Sequence, residues 1–187
     1  SLDPIVFISY NHNDSEIALN IRDSIEAEGI DVIIDQEDML AGENISSFIN
    51  ESINNSTITI SIISNRSLKS AWVAMETVNS FYHKIFSKNK KFIGCFLDDD
   101  FFNKNFTLNA INDIDDQIKQ NQELIAQYHD KMIDTRDLNN QNSRLLALRN
   151  NLDGIIGRLR DSLCLDIRTS KFDESITKIL KVIRNND

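Results

Sequence analysis

Trp72 and Glu76 stand four residues apart in Ser70-Ala71-Trp72-Val73-Ala74-Met75-Glu76, shortly after the apolar run Ile58-Thr59-Ile60-Ser61-Ile62-Ile63. On a helix that spacing puts both side chains on one face. If the apolar run is a buried strand and Trp72 opens the next helix, the shared face lies near the carboxyl edge of a parallel sheet. Open α/β folds hold their ligands there. An aromatic platform beside a carboxylate suits a cationic, ring-bearing ligand. The structural alternative is that Trp72 anchors its helix in the core.

The elements that would position this pair alternate along the chain. Ile5-Val6-Phe7-Ile8-Ser9 reads as a buried strand. Asp14 or Ser15 can cap a helix running to about Glu28, with Ile17, Ile21 and Ile25 on one face and Gly29 as its stop. Val32-Ile33-Ile34 is a second strand, and residues 35–44 form a polar loop. Ile45, Phe48, Ile49 and Ile53 mark one face of a helix before the third strand, residues 57–63. After a loop at 64–70, the helix that starts near Trp72 turns Ala74, Val78, Phe81 and Ile85 inward. Residues 91–97 are a fourth strand and Leu163-Cys164-Leu165-Asp166-Ile167 a fifth. A last helix carries Phe172, Ile176, Ile179, Leu180 and Ile183 on one stripe. This order predicts an α/β fold of the flavodoxin-like, doubly wound kind, with a parallel five-stranded sheet in the order 2-1-3-4-5.

The connection from strand four to strand five departs from that pattern. Ile111, Ile114, Ile118, Ile125 and Met132 step at helical spacing; after a polar break at 134–143, Leu145, Leu148, Leu152, Ile156, Leu159 and Leu163 do the same. This predicts an inserted α-helical hairpin of two antiparallel helices, about 22–25 residues and roughly 33–38 Å each. Residues 1–187 read as a single domain, with a core at 4–100 and 161–187 and the insertion at 104–162. Such a hairpin either covers part of the sheet or contacts another protomer or domain.

With 187 residues, 41% hydrophobic and 26% charged, the chain has the size and composition of one soluble globular domain with an elaboration. A net charge of −9 disfavours nucleic acid and anionic membrane as partners. No apolar stretch reaches membrane-spanning length, and the first residues do not read as a signal peptide. A start at Ser1 rather than Met suits a piece excised from a longer protein. Cys95 and Cys164 lie in strand-like runs and read as reduced, buried thiols, which fits a cytoplasmic location. His12, His83 and His129 are scattered and the cysteines lack zinc spacing, so no metal site is expected. Asp98-Asp99-Asp100 reads as a solvated strand end.

Specific absences narrow what this topology can do. A dinucleotide fingerprint needs Gly-x-Gly-x-x-Gly after the first strand, where this chain has Ser9-Tyr10-Asn11-His12-Asn13. No phosphate-binding P-loop is present. A phospho-receiver domain would need acidic residues after strands one and three; Ser9-Tyr10 and Ser64-Asn65 stand there instead.

Three segments, in order, resemble the TIR (Toll/interleukin-1 receptor) domain family. Phe7-Ile8-Ser9-Tyr10 is similar to its first-strand box. The stretch with Asp35, Gly42 and Ile45 is similar to its loop after strand two, and Trp72 to Glu76 to its Trp-x-x-x-Glu segment. Asp166-Ile167 and Phe172 resemble its last strand and helix. The helix carboxylate makes the chain most similar to the microbial, NAD-cleaving branch. The long helical insertion departs from the compact animal signalling members.

The resemblance implies cleavage of the nicotinamide–ribose bond of NAD⁺, giving nicotinamide and ADP-ribose or cyclic ADP-ribose. NAD⁺ is then the substrate, and no further cofactor is needed. Glu76 is the implied catalytic residue, since a carboxylate below the ribose can stabilise an oxocarbenium-like transition state. Ser9, Tyr10, Asn11, Asp35, Gly42, Ile45 and Trp72 are the implied substrate-binding set. Ser9 and Tyr10 could equally cap the turn, and Asp35 could set the loop through backbone amides. Asn11, His12 and Asp38 occupy places where some relatives carry basic residues, which weakens any phosphate clamp. Met39, Leu40 and Ala41 put apolar side chains on a loop that in this family takes part in self-assembly. The implied partners are other TIR domains and a fused or separate sensor, and the implied setting is the effector module of a bacterial defence system. The alternative is a non-catalytic TIR–TIR adaptor, which has no need of a carboxylate at Glu76. An enzyme held inactive until a sensor clusters it is compatible with the first reading.

Overall fold

The computed structural model describes residues 3–34, 54–64 and 91–185. Five strands lie in one sheet: β1 (Ile5–Ser9), β2 (Asp31–Ile34), β3 (Ile58–Ile63), β4 (Lys91–Phe96) and β5 (Leu163–Asp166). Their order is β2-β1-β3-β4-β5 and every neighbouring pair is parallel, as the alternation of elements predicts. β3 occupies the centre, and all six of its residues are buried. Its isoleucine-rich sequence matches a strand covered on both faces. Thr57 fastens its start to β1: Oγ1 accepts the Ile5 N–H at 3.0 Å, and the Thr57 N–H donates to the Ile5 carbonyl at 2.8 Å.

Successive residues of a strand point to opposite faces, and the two faces carry different cores. On one, Val6, Ile8, Ile58, Ile60, Ile62, Ile93, Cys95 and Leu165 pack against two helices. These are α1 (Ser15–Glu26), through Ala18, Ile21 and Ile25, and the C-terminal helix α4 (Phe172–Arg184), through Ile176, Ile179 and Ile183. Of the stripe expected for α1, Ile17 is only half-buried, and Ala18 takes its place inside. The helix ends at Glu26, two residues before the expected Glu28. The turn that follows closes on Gly29, whose φ of +77° is a conformation glycine adopts without steric cost. An ion pair between Arg184 and Glu28 joins α4 to this turn.

Among the described residues, the other face packs against the insertion. Phe7 and Ile63 of the sheet share a cluster with Phe101, with Phe106, Ala110 and Ile114 of α2 (Phe106–Asp130), and with Leu145, Leu148, Leu152, Ile156 and Leu159 of α3 (Arg136–Asp161). The hairpin therefore forms, and it acts as the cover of a sheet face. Its turn is shorter than the polar composition suggests: Arg136 to Ser143 are helical, not a break. Asp134 starts that helix by accepting the Arg136 N–H at 2.9 Å. Two predicted seam residues fall outside the seam. Met132 sits in the turn at φ +56°, 96% exposed, and Leu163 begins β5 with its side chain exposed.

Asn121 occupies the seam position between Ile118 and Ile125 that the apolar pattern skips. It is 4% exposed and fully engaged: Gln117 Nε2 donates to its Oδ1 at 3.1 Å, and its Nδ2 donates to Gln141 Oε1 at 2.8 Å and Asn142 Oδ1 at 2.9 Å. A satisfied buried amide in an apolar seam fixes which turns of the two helices face each other. It also explains why the polar run 136–143 is helical, since its amides have a partner across the hairpin.

Gly94 leaves little room for a side chain on this face. A Cβ there would stand 3.1 Å from Ile63 Cδ1 and 3.2 Å from Cys164 Sγ. Gly94→Ala is expected to destabilise the fold by about 1–3 kcal/mol through overpacking between three strands. Denaturant unfolding measures it, and an unchanged midpoint would show that the neighbours yield freely.

Candidate active site

The order 2-1-3 makes the carboxyl ends of β1 and β3 a topological switch point, the place where open sheets bind ligands. Ser9 is the last residue of β1 and pairs in register with Ser61 of β3; Ser61 pairs with Gly94 of β4, and Gly94 with Cys164 of β5. Alternation puts this row on the face that the hairpin cluster shares. The row is small and mostly polar, whereas the rows beside it hold Phe7, Thr59 and Phe92, and Ile63 and Phe96. Thr59 Oγ1 is buried without a hydrogen-bond partner among the described residues.

The candidate residues on β1 and its exit separate. Ser9 is half-buried on the hairpin side. Tyr10 packs partly buried against the α1–α4 cluster, on the opposite face. Asn11 closes a local turn: its Oδ1 accepts the Asn13 N–H at 3.0 Å and Asn13 Nδ2 at 3.1 Å, and its carbonyl accepts the Asp14 N–H at 2.8 Å. Trp72 and Glu76 lie outside the described residues, as do Asp35, Gly42 and Ile45 and the apolar loop residues Met39 to Ala41.

Asp14 departs from its expected role. It precedes α1 in the N-cap position, but its carboxylate makes no capping bond. Ser64 Oγ donates to its Oδ2 instead, at 3.1 Å, and both residues are buried. Sequence reading offers no sign of this pair, because the partners stand 50 positions apart and only the β1–β3 adjacency brings them together.

At the carboxyl ends of β4 and β5, Arg168 bridges Asp99 and Asp166, with Nη2 at 3.1 Å from the first and 2.7 Å from the second. Hydrogen bonds from Arg168 hold the Asp166 carboxyl below the usual carboxylate range. One member of the acidic run is thus neutralised within the chain. Among the described residues no group of three or more histidine, cysteine or acidic side chains gathers to hold a metal ion. Cys95 is a buried free thiol pushed up to about 12 by burial and by the neighbouring Cys164. Cys164 is half-buried, its pKa also raised by burial. Both are protonated near neutral pH, and neither is an activated nucleophile.

Comparison with known proteins supplies the family. A model described as the TIR domain matches residues 6–133, from β1 into the turn between α2 and α3. Among solved structures, the TIR domains of the activated Roq1 resistosome, which directly recognizes the pathogen effector XopQ, match with a TM-score of 0.56 at 18% identity. That match covers 97% of this chain and 99% of the other, so the likeness of fold extends through the hairpin to α4. No curated protein matches at a significant level. Among the described residues no helix is long and apolar enough to cross a membrane. With the family model spanning more than half of the sequence and the sheet in the order 2-1-3-4-5, the chain belongs to the TIR domain family, with an α-helical insertion between strands four and five.

Proposed function

We propose that this chain is a NAD⁺-cleaving TIR domain of the microbial branch, a single-domain effector module of a bacterial defence system that works in the cytoplasm and is switched on by self-assembly. The observation that carries the reading is a TIR domain with a carboxylate four residues beyond a tryptophan, in the segment that leaves the central strand β3. The chemistry requires little else. Nicotinamide departs as a neutral ring, so no leaving-group acid is needed. Positive charge grows on the ribose, and one carboxylate at Glu76 stabilises it. Trp72 stacks on a ring of the substrate, and Ser9 with the loop residues Asp35, Gly42 and Ile45 lines the rest of the site. Asn11, spent on its own turn, contributes through backbone more than through its amide.

Self-assembly is supported by the relative whose TIR domains are seen within a resistosome. In this chain the loop bearing Gly42 is the proposed contact. A bulky or charged residue at Gly42 is expected to impair assembly and activity together, with monomer stability little changed. Sedimentation and turnover of Gly42→Arg check this; an unchanged oligomer with unchanged activity would count against the loop.

The test of the activity is NAD⁺ consumption by the purified chain at high concentration or under induced clustering, with products resolved by chromatography. Release of nicotinamide establishes the reaction, and the second product separates hydrolase from cyclase. No consumption under clustering would transfer the chain to the adaptor reading.

A further inference from the structure

Aspartate before a helix ordinarily caps it, because its carboxylate accepts a free backbone N–H of the first turn. Asp14 stands in that position and does not cap. Its carboxylate reaches instead to Ser64 Oγ, and the two are 7% and 6% exposed. A carboxylate withdrawn from water costs free energy that must be offset by its partners, here the hydroxyl and the positive end of α1. A local bond given up for a buried long-range one is the kind of departure that accompanies function.

The pair spans the switch point. Asp14 is tied by its N–H to the Asn11 carbonyl, in the turn that follows Ser9 and Tyr10. Ser64 directly follows β3, twelve residues before Glu76. β1 and β3 are sheet neighbours, so this hydrogen bond closes across the exits of the two strands between which the ligand would lie. We propose that Asp14 and Ser64 form a positioning pair, a buried hydrogen bond that sets the β1 exit, with Ser9, against the β3 exit. The inference rests on the NAD⁺-cleaving reading, and neither residue touches the substrate.

The experiment compares Ser64→Ala, Asp14→Ala, Asp14→Asn and the Ser64→Ala/Asp14→Ala double variant by steady-state NAD⁺ cleavage and thermal unfolding. Misplacement of reacting groups by about an ångström lowers turnover by tenfold to a hundredfold, so each alanine variant is expected to lose kcat by about that factor with KM nearly constant. The double variant is expected to be no worse than the weaker single, because both single variants remove the shared Asp14–Ser64 bond. Asp14→Asn is expected to retain most turnover, since its amide oxygen accepts the same hydroxyl. Wild-type kcat in either alanine variant, losses that multiply in the double variant, or Asp14→Asn as impaired as Asp14→Ala would overturn the proposal. Amide hydrogen exchange separates this outcome from failure of the activity itself. Should the wild type cleave no NAD⁺, faster exchange in Ser64→Ala confined to residues 9–15 and 61–64 would still establish the pair. Exchange unchanged there would end it.

Discussion

Glu76→Gln and Glu76→Ala are expected to lower NAD⁺ cleavage by a factor of about 10²–10³ or more while the melting temperature stays close to wild type. The size of the effect follows from where the charge develops. In the proposed reaction the bond that breaks would leave a cationic sugar, and a fixed carboxylate beside it would stabilise the transition state more than the ground state. Glutamine keeps the shape and the hydrogen-bonding oxygen but lacks the charge, so Gln and Ala should fall almost equally. A glutamine variant with substantial activity would assign Glu76 a role in holding ribose hydroxyls. Turnover at the wild-type rate in both variants would remove it from the mechanism. Products and unfolding are measured on the same preparations, so loss of fold cannot pass for loss of chemistry.

The second large effect concerns the hairpin. Replacing residues 104–162 by a short linker is expected to yield an insoluble or partly folded chain instead of a soluble core. The insertion supplies Phe106, Ala110, Ile114 and the five buried α3 residues Leu145, Leu148, Leu152, Ile156 and Leu159 to the cluster that covers Phe7 and Ile63. Burying a leucine, isoleucine or phenylalanine is worth about 1.5–3 kcal/mol, and a whole domain has about 5–15 kcal/mol in hand. Uncovering Phe7, Ile63, Phe92 and Phe96 together would exhaust that margin and leave an apolar patch open to aggregation. A graded version avoids the all-or-none outcome: Leu148→Ala or Ile156→Ala should each cost about 2–5 kcal/mol in denaturant unfolding. A soluble deletion variant with native near-ultraviolet dichroism would show the hairpin to be an accessory and sink the argument.

The hairpin also shows where local pattern stops being informative. Its apolar stripe was legible because a helix repeats every 3.6 residues and the leucines of α3 keep that spacing. Its turn was not, because asparagine and glutamine in residues 139–142 look alike in a loop and in a helix whose amides meet a buried partner. Asn121 supplied that partner from 20 residues away. Met132 kept the seam spacing and still fell outside, because the chain had already left the helix.

By itself the sequence determined the strands, their parallel order, the two-faced core and the presence of an inserted helical pair. All of these follow from apolar periodicity and from the short connections that alternate strands and helices require. It also pairs Trp72 with Glu76 as an expectation, because four residues along one helix would share a face whatever the rest of the chain does; both lie outside the described residues. Only the tertiary structure decided which face the hairpin covers, that Tyr10 and Ser9 part to opposite sides of the sheet, that Arg168 bridges Asp99 and Asp166, and that Asp14 leaves its helix to meet Ser64. The physical reason is range. Periodicity and capping act within a few residues, whereas a polar group drawn out of water takes whichever partner the fold sets beside it, however far away in sequence that partner lies.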